Sequence, residues 1–362
     1  MIRNRTVRLP IACLCALLLF ASLGFSDGSI FVGVYPAGVA VLDEATGQIQ
    51  GQIPLKNGLA GSITVSTDRT KLIVVNSKTE GIEVIDIKSR QVVDTFKLSE
   101  GNRTVRIRRN PAVHPDGVRL FSVIVASVKQ ADRFTVEKPQ IVTIDLRQKK
   151  ITKSLELPRE YSGNGLMRVS PDGKTLYFIF RDILMIDIDS FKIVDKIDLR
   201  DRPMIPGTGY LDLGTSYESF DQPGKLYFLY NSADPATNQK IQGIAQLNLV
   251  NRSFDYFETN PDVALSGFAV SPDGKRAYGV RADARYNEFY VYDLEGKRLI
   301  KRQEYAGRSR TTLSISSDGK NLYLAGAGNT IDYVNAETLT PVAGKHIDLP
   351  GDVTSSLFVA PR

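Results

Sequence analysis

The chain has 362 residues, 46 of them Lys or Arg and 40 Asp or Glu, for a formal net charge of +6 with its two histidines neutral. So small an excess is no signature of a nucleic-acid binder, and three of the cations, Arg3, Arg5 and Arg8, stand ahead of an apolar run that carries no acid. Both cysteines, Cys13 and Cys15, fall inside that run, so the remainder can form no disulfide, thiolate metal site, thiol nucleophile or covalent haem link.

In chain order the first element is a leader. The basic start, the apolar stretch 11–20 and the small residues Gly24 and Ser26 ahead of Asp27 have the layout of a secretory signal peptide over 1–26. The expectation is a secreted or periplasmic protein with one domain over 27–362. No later apolar stretch approaches membrane-spanning length, so no membrane association is expected after leader removal.

From Asp27 onward one phrase recurs: an apolar strand, a tight polar turn, a second apolar strand, a third ending in Asp or Asn, and a fourth. Val65-Ser66-Thr67-Asp68 precedes Leu72-Ile73-Val74-Val75, and Val113-His114-Pro115-Asp116-Gly117 precedes Leu120-Phe121. Val169-Ser170-Pro171-Asp172-Gly173 precedes Leu176-Tyr177-Phe178. A worn copy, Phe220-Asp221-Gln222-Pro223-Gly224, comes before Leu226-Tyr227-Phe228. Val270-Ser271-Pro272-Asp273-Gly274 and Ile315-Ser316-Ser317-Asp318-Gly319 complete the series. Pro presets φ, Asp bonds back to nearby amides, and Gly takes a conformation costly for other residues. The flanking Val, Ile, Tyr and Phe suit half-buried strands.

The third strands end at Asp43, Asp86, Asp145, Asp187, Asn248, Asp293 and Asn335, which gives seven units although the turn phrase occurs six times. The missing copy is divided between the ends. Leu357-Phe358-Val359-Ala360-Pro361 reads as a first strand and Gly28-Ser29-Ile30-Phe31-Val32 as a second. The predicted fold is therefore all-β: a seven-bladed β-propeller of four-stranded antiparallel blades, its ring closed by one blade shared between the N- and C-terminal strands.

Ile73-Val74-Val75-Asn76, Ile82-Glu83-Val84-Ile85-Asp86 and Val92-Val93-Asp94-Thr95 resemble the YVTN-type propeller repeat, with Ile73 and Val75 where that family prefers Tyr and Thr. The resemblance covers 27–362 and places the chain in the fold group of the propeller chains of quinohaemoprotein and methylamine dehydrogenases; it implies fold rather than activity. WD40 repeats fit poorly, because the chain has no Trp.

The repeated turn aspartates read as structural, since equivalent turns cannot all be one active site. His114 holds the place of Ser66, Ser170, Ser271 and Ser316, and His346 lies in an outer strand, so the two are not expected to share a metal. Neither a catalytic residue, a metal site nor a cofactor is expected. The candidate ligand-binding residues are arginines around the segments that feed the innermost strands: Arg106, Arg108 and Arg109 in blade three, Arg168 in blade four, and Arg308 and Arg310 in blade seven, joined by Tyr210 from the irregular stretch 200–216. Guanidinium groups converging on a channel mouth would favour a small anionic ligand or an acidic protein partner. Two other insertions, 126–139 and 231–242, also break the repeat. The leading expectation is an exported, non-catalytic binding propeller. Two alternatives stay open: a lactonase-like hydrolase, whose His-Pro-Asp-Gly phrase His114-Pro115-Asp116-Gly117 resembles, and a cofactor-free propeller subunit of an amine-dehydrogenase-like redox complex.

Overall fold

The computed structural model describes residues 28–361 except 37, 79, 109, 162, 164, 201–208, 220, 260–263, 283–285, 307–309 and 327. The proposed leader lies outside the described residues. The rest forms seven antiparallel sheets. Blade one takes Gly28–Val34, Gly38–Asp43 and Ile49–Pro54 from one end of the chain and its innermost strand, Phe358–Pro361, from the other. Phe31 pairs with Phe358 and Gly28 with Pro361, so the termini meet inside one sheet. Blades two to seven follow in sequence, with innermost strands Ala60–Val65, Ala112–Val113, Leu166–Val169, Asp212–Glu218, Gly267–Val270 and Arg310–Ile315.

Local chemistry explains the repeat. Ser170 Oγ donates to Asp172 Oδ1 at 2.5 Å and accepts from Thr175 N at 2.9 Å, closing the turn that joins the first two strands. Ser66, Ser271 and Ser316 make the same two bonds. The turn's fourth residue is left-handed, at φ 67° for Gly117 and 73° for Gly173, and in blade two Arg69 takes that conformation at φ 58°. Blade five is irregular because its turn, from Ser219 to Lys225, is one residue longer than its sisters.

The third-to-fourth hairpins follow one rule. The Asx side chain accepts amides two or three residues on, as Asp86 does from Ser89 N at 2.7 Å and Asn335 from Thr338 N at 2.8 Å. The residue four places after each Asx then has positive φ in all seven blades: Gly47, Arg90, Lys149, Phe191, Arg252, Lys297 and Leu339. Glycine supplies this conformation only in blade one. In the others the hairpin geometry imposes it on residues that disfavour it.

Apolar packing lies between the blades. Seven clusters of buried side chains each join two neighbouring blades: Ile73, Val75, Val105 and Ile124 bind blade two to three, and Ile30, Val32, Tyr323 and Tyr333 bind seven to one. The closing seam is therefore of the same kind as the other six. A buried carboxylate secures it further. Glu44, 1% exposed, accepts from Ser317 N at 2.6 Å, Ser317 Oγ at 2.8 Å and Tyr323 OH at 3.1 Å, and desolvation raises its pKa against the pull of these donors.

The turns also interlock around the ring. A methyl placed on Gly173 would stand 2.8 Å from His114 Nε2, which itself lies 3.0 Å from Gly173 O. We expect Gly173→Ala to lose about 2–3 kcal/mol, from left-handed strain and the displaced histidine, against about 1 kcal/mol for Gly101→Ala. Gly101 also has positive φ but open space around it. Paired denaturant melts give the comparison, and equal losses would show that the His114 contact carries no weight.

Candidate functional site

Pairing with the second strand puts the innermost strands on a common scale of height. Val65, Val113, Val169, Val270, Ile315 and Val359 occupy one level, opposite Leu72, Leu120, Leu176, Ala277, Leu322 and Ile30. In blade five that level, opposite Leu226, holds Glu218. One residue further from the turn stand Thr64, Ala112, Tyr217, Ala269, Ser314 and Phe358, and in blade four Arg168. Charge thus enters these two levels at adjacent blades only.

The two substitutions meet. Arg168 Nε donates to Glu218 Oε2 at 2.6 Å and Nη1 to Met167 O at 2.8 Å, while no bond among the described residues uses Nη2. Both side chains are about a quarter to a third exposed, at 25% and 34%, and both line a channel cavity of about 380 Å³ at the turn end of the ring. Tyr217 and Asp221 line it as well. Burial, with Asp221 nearby, raises the Tyr217 pKa, so the phenol remains a neutral donor. The mouth is a collar of turns, where Pro171 packs on Gly224 and Pro272 on Gly319, while Gln222 Nε2 donates to Pro272 O at 3.1 Å. The site can offer spare guanidinium donors, a phenol and hydroxyls to an anionic group in a half-dry funnel.

The other expected residues lie elsewhere. Arg108 N bonds Val123 O at 2.7 Å, two strand levels above Arg168, and its Nε is buried without a partner among the described residues. Arg310 opens its strand opposite Gly326, three levels above. Arg106 pairs with Val125, four levels above, which at 3.3 Å per residue is about 13 Å along the axis. It is exposed, with Glu80 3.9 Å away. Arg109 and Arg308 fall outside the described residues. Tyr210 is exposed and lies beneath Arg200, whose guanidinium carbon is 5.1 Å from the ring centre. The arginines with described positions are therefore stepped along the axis, and Arg106 does not share a level with Arg168.

Glu218 and Tyr217 escape sequence reasoning because aligning blade five on Phe220-Asp221-Gln222-Pro223-Gly224 hides the extra residue. Its serine cap is Ser219, and the residue before it, Glu218, stands where the phrase otherwise has Val or Ile. That substitution is the missed signal.

His114 is engaged by its turn. Nδ1 accepts from Asp116 N at 3.0 Å, Nε2 lies 3.0 Å from Gly173 O, and Arg119 Nη2 approaches the ring at 2.8 Å from Nε2. His346, in the outer strand of blade seven, bonds the buried Asp332. Among the described residues no group of three His, Cys, Asp or Glu side chains is placed to hold a metal.

No protein-family model matches the sequence, and no curated protein does. Solved structures share the fold. A functionally unknown protein from Desulfotomaculum acetoxidans DSM 771 aligns over 92% of this chain and 99% of its own, at 10% identity and TM-score 0.59. Apo AztD from Citrobacter koseri aligns over 92% and 98%, at 13% and 0.57. Hydrazine synthase from Kuenenia stuttgartiensis aligns over 91% and 94%, at 18% and 0.54. At such identities the likeness is of architecture alone.

The Asp116 carboxylate has a pH consequence. Burial raises its pKa, but the Val118 and Arg119 amides and the Arg119 guanidinium outweigh it and hold the group down at about 2. A depressed folded pKa stabilises above the ordinary value near 3.8, and the gain is lost as pH falls toward 2. Asp116→Asn should therefore unfold at lower denaturant than the parent at pH 7, with the gap closing between pH 4 and pH 2. A gap independent of pH would sink this assignment.

Proposed function

We propose that the protein is an exported, non-catalytic binding propeller that takes a small ligand bearing a carboxylate or phosphate into the turn end of its channel. The observation that carries this reading is Arg168. A guanidinium stands in the channel wall at a height where five sister blades have Thr, Ala, Ser or Phe and one has Tyr217. Glu218 fixes the arginine through Nε, so the orientation of the fork is set before a ligand arrives. A planar fork held this way recognises a two-oxygen anion better than a point charge does. Export rests on the leader-like layout of 1–26.

A ligand that binds only the folded state raises the melting temperature in proportion to the logarithm of its concentration over Kd. Screening the mature protein against mono-, di- and tricarboxylates and phosphate esters should give at least one such shift. Arg168→Ala should weaken that ligand at least tenfold, and Arg168→Lys should recover only part of the loss. Undiminished affinity in Arg168→Ala refutes the channel site.

A further inference from the structure

The insertion in blade three builds a structure the other blades lack. Its second strand, Arg119–Lys129, runs 11 residues, and the excess length carries Arg103–Ile107 on one side and Phe134–Val136 on the other. The result is a three-stranded tongue continuous with the blade, at the end of the ring opposite the serine-capped turns. Register settles its two faces. Val105, Ile107, Ile124 and Ala126 point one way and pack with blade two. Phe134, opposite Lys129, and Val136, opposite Ser127, share the other face with the Val125–Arg106 pair. There Phe134 is 66% and Val136 67% exposed, far from the usual place of such residues.

Phe134–Val136 is also an edge. Gln130 N donates to Arg133 O and Glu137 N to Ala126 O, so the inward groups belong to odd-numbered residues. The N–H and C=O of Phe134 and Val136 therefore point outward, where no strand lies among the described residues. Charge surrounds this edge unevenly. Arg133, 4.0 Å from Asp132, and Lys138, paired with Glu156, flank it, and Lys129 and Arg106 stand on the exposed face, the latter 3.9 Å from Glu80. The carboxylate of Glu137 is held by Arg103 at 2.7 Å, so among the described residues Lys129 is the cation of the exposed face that no acid pairs.

We propose that the tongue is a docking arm that adds, along Phe134–Val136, an extended segment of another protein in which acidic and apolar residues alternate. Main-chain bonds would complete the edge, apolar side chains would cover Phe134 and Val136, and an acid of the segment would meet Lys129, with the exposed Arg106 and Arg133 in reach of its neighbours. An anionic lipid surface would satisfy the charges but leave the outward backbone groups without partners. The proposal is independent of the channel site.

The test uses the mature protein and a fluorescent eight-residue peptide alternating Asp or Glu with Val, Phe or Leu, read by anisotropy. The same peptide with Lys for each acid and phosphatidylglycerol vesicles serve as the competing probes. The acidic peptide should bind at least tenfold more tightly than the lysine peptide. Val136→Pro, which blocks the outward edge without changing charge, and the double variant Phe134→Ala with Val136→Ala should each weaken it at least tenfold. Lys129→Glu should weaken it without touching the edge, and all of these positions are exposed, so unaltered melting curves are expected. No acidic-peptide binding, equal binding of both peptides, full binding by Val136→Pro, or capture by vesicles alone would overturn the docking arm.

Discussion

The molecule depends on seams between blades. Each sheet is narrow and carries apolar residues on both faces, so none can bury its side chains without a neighbour on either side. A row of seven such sheets would leave two faces bare. Closing the row removes both and requires the last seam to match the others, which is what Ile30, Val32, Tyr323 and Tyr333 provide. Sharing blade one between the termini ties that seam by main-chain hydrogen bonds as well, so opening the ring means pulling Phe358–Pro361 from Gly28–Val34. Glu44, reaching from blade one to Ser317 and Tyr323 of blade seven, adds a polar lock whose worth rests on complete partnering of a buried acid.

Much of this was legible because the forces are local and repeated. Serine caps, Asx hairpins and alternating aliphatics act over five or six residues, so each copy reports the same geometry, and seven Asx positions gave seven blades. The split blade could be read because Leu357–Pro361 and Gly28–Val32 have complementary patterns. The seven left-handed hairpin residues could not be found by the same means. Apart from Gly47 they are Arg, Lys, Phe and Leu, which announce no positive φ; the hairpin bulge imposes it and tertiary packing offsets the strain.

The site was legible in part, and its gaps have a physical origin. An arginine can be counted in a sequence, but its height along a channel depends on strand register, and one extra residue moves a side chain to another level and the opposite face. Blade three interrupts its innermost strand between Ile107 and Ala112 and shifts the register there by two, so Arg106 faces Val125, four levels above Arg168, where an unbroken strand would set it six above. Blade five hides a longer turn, so the repeat does not reveal Glu218 as the replacement of a wall valine. Arg168 is one of the candidates the repeat offers, but its partner is not, because the pair joins residues fifty apart that only the ring brings together.

That pair bears on why these blades depart from the pattern. An aliphatic residue at each position would pack as its counterparts do in the sister blades, and a partly buried ion pair seldom outperforms such packing, because both ions give up hydration. Arg168 and Glu218 are therefore poorly explained as contributions to stability. The ring tolerates them since each seam is held by its own cluster, so a local loss between blades four and five leaves the other six seams intact. An architecture with this independence can place charge in its channel at one seam and grow a tongue at another without endangering closure. A half-dry guanidinium oriented by a single carboxylate bond is then a feature that the fold permits but does not require, and recognition of an anion gives it a physical reason.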